Sequence, residues 1–210
     1  MRMDKALGIV LLCFITLSCS TGMGSLTQEQ NASQKAEAKT AEGLEYLKKG
    51  KFQKAERAFE EAVQLDDSNP LTHARLAWTF FILKKLDKAS SEYKKAVDLD
   101  PNCKEAHLGL GYVAFASGDD DQALKSIRRA LEIDKRFAAA HTALGRVYYK
   151  QGLIHKAIME LEGAIALDPD EMAAYHLLSE IYDDKAFSGI PEDVQRMFDQ
   201  LEENKPRTGQ

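Results

Sequence analysis

The sequence predicts an all-α fold of stacked helical hairpins, on three observations: a helix-favouring composition, a fixed internal period, and glycines placed where a first helix would end. Only five of 210 residues are proline, and the charged residues, 29% of the chain, are spread along it rather than clustered. Both features favour helices over a sandwich or barrel. Ala55, Ala89, Ala123 and Ala157 are each 34 residues apart, as are Ala62, Ala96, Ala130 and Ala164. The same offset joins Leu76, Leu110, Leu144 and Leu178, and again Phe59, Tyr93, Ile127 and Leu161. Gly50, Gly118 and Gly152 fall between two segments of 3.6-residue periodicity, where glycine stops a helix. Each period is therefore two helices. A lone hairpin cannot bury both of its apolar faces, so stacking is obligatory.

In chain order, the first element is an address. A short charged start, Met1 to Lys5, precedes an apolar run from Ala6 to Leu17. Crossing a bilayer needs about 20 apolar residues, whereas a signal-peptide core needs about 7 to 15. Residues 1–18 therefore read as an export signal. Ile15-Thr16-Leu17-Ser18-Cys19 resembles the lipobox of bacterial lipoproteins, with Thr16 where that family usually has Leu. The resemblance implies acylation of Cys19, and Ser20 after it, in place of the Asp that retains lipoproteins at the inner membrane, implies an outer-membrane lipoprotein facing the periplasm. An ordinary cleaved signal, giving an exported soluble protein, is the alternative. Residues 19–34 are small and polar with no apolar period, and are expected to form a flexible tether.

The array is expected over 35–187, with repeats at about 36–69, 70–103, 104–137 and 138–171 and a half repeat at 172–187. Small residues of the Gly43, Ala77, Gly111 and Gly145 class let paired helices approach, and the Phe59 class fills the space between them. The pattern resembles the tetratricopeptide repeat (TPR) family, whose signature runs large, Leu, small, aromatic, Ala, aromatic, Ala, Pro. The second repeat matches with Leu76, Ala77, Phe80, Ala89, Tyr93, Ala96 and Pro101; the fourth with Leu144, Gly145, Tyr148, Ala157, Leu161, Ala164 and Pro169. The first repeat departs with Lys39 and Glu42, so fraying of its first helix is expected. The resemblance implies a right-handed α-solenoid. Beyond it, Ser188-Gly189-Ile190-Pro191 is a stop and a new start, and Val194, Met197, Phe198 and Leu201 make one stripe. That is the mark of a C-terminal capping helix, placed with its tail at 188–210.

No chemistry is visible. A net charge of −5 argues against a nucleic-acid surface. His73, His107 and His141 recur at one repeat position, and equivalent residues on stacked helices lie about 8 to 10 Å apart, too far to share one metal ion. Asp119-Asp120-Asp121 lacks the interleaved ligands of a calcium loop and suits a turn before a helix. Cys103 reads as an inert thiol. No phosphate loop or catalytic motif occurs, so neither enzyme activity nor a cofactor is expected. The TPR resemblance implies a concave groove lined by the first helix of each hairpin: Leu44, Leu47, Ala74, Trp78 and Phe81, then Leu108, Tyr112, Phe115, Thr142, Arg146 and Tyr149. Trp78 and Tyr112 are the expected anchors for a segment of another protein. The Lys and Asn set with which chaperone-binding relatives clamp a terminal carboxylate is missing from these positions. The function implied is a protein-binding scaffold at the cell envelope, with structural assembly through self-association or the convex face as the alternative.

Overall fold

The computed structural model describes residues 31–183, and among these every regular element is helical. Helix α1 covers 31–48. It is followed by α2 (Phe52–Leu65), α3 (Pro70–Ile82), α4 (Leu86–Leu99), α5 (Lys104–Ala116), α6 (Asp120–Ile133), α7 (Ala138–Lys150), α8 (Ile154–Leu167) and α9 (Met172–Asp183). Helices α3, α5, α7 and α9 start 34 residues apart, which is the sequence period turned into structure. The signal, Cys19, the tether up to residue 30, the end of the half repeat and the capping helix lie outside the described residues.

One boundary differs from the sequence expectation. Residues 31–34, assigned to the tether, are already helical. The cause is a narrow stripe of small residues, Ala32, Ala36, Thr40 and Gly43, of which the last three are buried. Small polar composition hid an i, i+4 packing face that only α2 and α3 reveal.

The chain divides into two compact units between Leu99 and Asp100. In the first, α1 pairs with α2 and α3 with α4, around Phe59, Ala62, Leu76, Ala77 and Tyr93, each no more than 3% exposed. The fraying expected at Lys39 is absent, and α1 is continuous. Lys39 Nζ lies 3.0 Å from Glu42 and 2.7 Å from Glu61 on α2, while the buried hydroxyls of Thr40 and Thr72 meet at 3.5 Å. The exposed ion pairs contribute about 0–1 kcal/mol each; the packed stripe does the larger share.

In the second unit α5 packs on α6, α7 on α8, and the first helices α5, α7 and α9 adjoin in turn. Gly111 shows why small residues recur at its position: a Cβ there would sit 2.6 Å from Ile127 Cγ1. Ile127 is 1% exposed, a burial that stabilises by about 1.5–3 kcal/mol. Every repeat end is closed alike. Asp66, Asp100, Asp134 and Asp168 each accept a hydrogen bond from the backbone N–H two residues on, at 2.9–3.0 Å. This Asx turn ends the second helix and aims the chain into the next hairpin.

Candidate partner-binding faces

The sequence named eleven lining residues, and the structure separates them by exposure. Ala74, Leu108 and Thr142 occupy one repeat position, and all three are buried. Leu108 belongs to the core around Ile127, and the Thr142 hydroxyl donates back to the Ala138 carbonyl. These side chains support the face from behind rather than form it.

In the first unit Trp78 is 38% exposed. Its ring stacks on Phe81 with centroids 5.4 Å apart and an interplanar angle of 19°, so the indole is held in place while one side stays open to solvent. Leu44 is half-buried and lines a recess of about 250 Å³ with Thr40, Asn69, Thr72 and Arg75. Leu47, also half-buried, follows it one turn later on α1. Sequence reasoning missed Arg75, although a signal was present: the equivalent positions hold Ala41, Gly109 and Ala143, and Arg75 is the one large charged residue among them.

In the second unit Tyr112, at the repeat position of Trp78, is half-buried. It packs against the core formed by α5, α6 and α7, and its hydroxyl lies 3.5 Å from the Ala139 carbonyl. Burial pushes its phenol up to about 12, the Glu171 carboxylate adds to the rise and Arg146 opposes it. Phe115 is half-buried beneath Lys150, whose Nζ stands 4.8 Å from the ring centroid and 2.7 Å from Asp120. Tyr149 is half-buried, and Arg146 is exposed. Burial raises the Glu171 carboxyl above the ordinary range, helped by Asp168. The second unit thus offers a charged surface where the first offers an open aromatic one.

The recurrent histidines are structural. The His73 ring lies between Glu92 Oε2, 2.7 Å from Nδ1, and the Asp67 carbonyl oxygen, 3.0 Å from Nε2. His141 repeats this with Glu160 and Lys135, while His107 meets only the Pro101 carbonyl by its Nε2. Each ties the preceding turn to the helix that carries it. Asp119 accepts from Gln122 N and caps α6. Cys103 is buried, and burial raises its thiol above the ordinary range. Among the described residues no cluster of three or more His, Cys, Asp or Glu could hold a metal ion.

Comparison with known proteins identifies the repeats. Family models described as tetratricopeptide repeat match residues 40–102 and 138–171, and one described as TPR repeat matches 111–152. Residues 40–102 and 111–171 are therefore tetratricopeptide repeats. No curated protein matches the chain. Among solved structures, a thermophilic TPR protein of Thermus thermophilus superposes with a TM-score of 0.73 at 23% identity, covering 82% of this chain and 93% of that one. YrrB, a TPR protein with an unusual peptide-binding site, gives 0.53 at 28% identity, covering 69% and 74%. The first TPR of Spaghetti (RPAP3), bound to the HSP90 peptide SRMEEVD, gives 0.54 at 28%, covering 57% and 95%.

Proposed function

We propose that the protein is a non-catalytic adaptor of the bacterial cell envelope: acyl chains on Cys19 hold it to the outer membrane facing the periplasm, and its first helices hold a segment of a partner protein. The observation that carries the binding role is Trp78, exposed on a tetratricopeptide helix yet fixed by stacking on Phe81. A rigid, half-open aromatic anchors a partner with little further loss of side-chain freedom. Peptide binding by the two relatives above at 28% identity supports the same reading. A ligand ending in EEVD is not proposed, because the named lining positions lack the Lys and Asn clamp. Affinity near micromolar, about −8 kcal/mol, suits such a surface. No nucleic acid enters this reading.

The test is a pull-down with Trp78→Ala. Loss of the co-purifying partners by a folded variant supports the reading, and an unchanged partner set overturns it. Mass spectrometry of the membrane fraction checks the anchor, with an acylated N-terminal Cys19 expected. A second reading, structural assembly through self-association, draws on Met159, 72% exposed on α8, and Leu153 beside that helix, 41% exposed. Light scattering at two concentrations separates it, since a concentration-dependent mass belongs to this reading alone.

A further inference from the structure

We infer that the α1–α2 and α3–α4 turns of the first unit form a lysine-rich edge that docks on anionic lipid headgroups. In the first turn Lys48, Lys49, Lys51 and Lys54 are exposed; in the second, Lys84, Lys85 and Lys88. The two sets are in register, since Lys51 and Lys54 are 34 residues from Lys85 and Lys88. Three acids share this end: Glu45 faces Lys48 and Lys49, Glu56 binds Lys85 at 2.6 Å, and Asp87 is exposed. Seven cations against three acids leave a positive edge on a chain whose net charge is −5.

Local energetics oppose this choice of residues. Position 84 is the left-handed turn position, filled by Gly50, Gly118 and Gly152 in the other repeats at φ of 66°, 84° and 73°. Lys84 adopts φ 62° there with a side chain attached, which costs about 1–2 kcal/mol. Lys51 occupies the N-cap of α2 and makes no capping hydrogen bond, and the first turn of α2 has no acid. Cations at a helix N-terminus are unfavourable, and Ser, Thr, Asp or Asn are preferred at the cap. Two of the lysines lie over aromatic rings: Nζ of Lys54 stands 5.8 Å from the Tyr46 ring centroid, and that of Lys88 5.2 Å from the Phe80 ring centroid. The backbone strain at Lys84 and the uncapped start at Lys51 thus keep two cations on this edge.

A lipid surface is the occupant because the edge is positive and, at about 27 Å along α1 from residue 31, lies within reach of a chain held at Cys19. Cys19 is twelve residues ahead of the first described residue of α1, a contour of at most about 43 Å. That clause rests on the lipidation reading, whereas the charge argument does not. Acyl chains would hold the chain at the bilayer, and the lysine edge would turn the first unit against the headgroups. Each cation near an anionic leaflet adds roughly fivefold to partition at low salt.

The experiment is flotation of the full-length, non-acylated protein with phosphatidylcholine vesicles, with and without about 30% phosphatidylglycerol, at about 50 mM and about 0.5 M salt. The expected result is a partition at least about tenfold higher on anionic vesicles, lost at high salt. Lys51→Asp with Lys84→Gly should remove that preference while raising the melting temperature, so that loss of binding cannot be loss of fold. Lys84→Gly alone, which only relieves strain, should lower the preference by roughly fivefold and carries the test if the pair does not fold. Equal partition on both vesicles, an unchanged preference in the variants, or capture by soluble poly-glutamate without vesicle preference would overturn the inference. A missing acyl group on Cys19 would remove the anchor and leave the vesicle result intact.

Discussion

Trp78 and Tyr112 occupy one position of the repeat, a single period apart, and do opposite things. Trp78 lies open on α3, stacked on Phe81, whereas the Tyr112 phenol is drawn toward α7 and shielded enough to resist ionisation. The α1–α2 and α5–α6 turns diverge in the same way. Lys51 leaves α2 uncapped, while Asp119, two periods later, caps α6 and is followed by Asp120 and Asp121. A repeat position therefore fixes which helix and which turn of it a residue occupies. Exposure and charge are set by the neighbours, and those vary between units.

The largest effect expected from this contrast is on stability. Tyr112→Ala should cost about 2–4 kcal/mol in urea unfolding, as for a large aromatic packed on a core, and Trp78→Ala no more than about 1 kcal/mol. Equal losses would break the comparison. A subtler version uses pH. The phenol of Tyr112 ionises near pH 10 in the unfolded chain and only at about 12 when folded, so unfolding releases its proton in between. Its contribution is full below pH 10 and falls by about 2–3 kcal/mol as pH rises to 12. Tyr112→Phe should lose that part of the alkaline slope; a parallel slope would show the phenol to be solvated. The smallest effects are at the caps. Asp119→Ala should cost about 1 kcal/mol, and Lys51→Asp should gain a similar amount, both read as melting shifts.

How much of this was legible follows from what repeats. The Ala55, Ala62 and Phe59 classes were readable because every hairpin meets the same packing problem, and the Gly111 contact with Ile127 shows how little room it leaves. The Asx turns at Asp66, Asp100, Asp134 and Asp168 could be located from the recurrent LD and ID pairs, though their hydrogen bonds could not. Residues 31–34 were missed because Ala32 and Ser33 carry little hydrophobic signal, and their burial comes from α2 and α3. Of the predicted lining residues, Trp78 and Arg146 are exposed and Leu44, Leu47, Phe81, Tyr112, Phe115 and Tyr149 half-buried, whereas Ala74, Leu108 and Thr142 are buried in the layer behind. Family position names the helix face, and the half-turn between lining and support depends on how closely the next hairpin packs. Arg75 was visible as a departure from Ala41, Gly109 and Ala143 at equivalent positions, and Lys84 from Gly50, Gly118 and Gly152. What they do there required the recess and the backbone angle.

The partner-binding claim is tested most directly by a photo-crosslinking residue placed at position 78 in the native envelope, with position 112 as the control. A discrete crosslinked partner is expected from 78, competed by the isolated partner segment, and little or none from 112. Equal crosslinking from both positions, or none from 78 above background, would contradict the assignment of Trp78 as the open anchor.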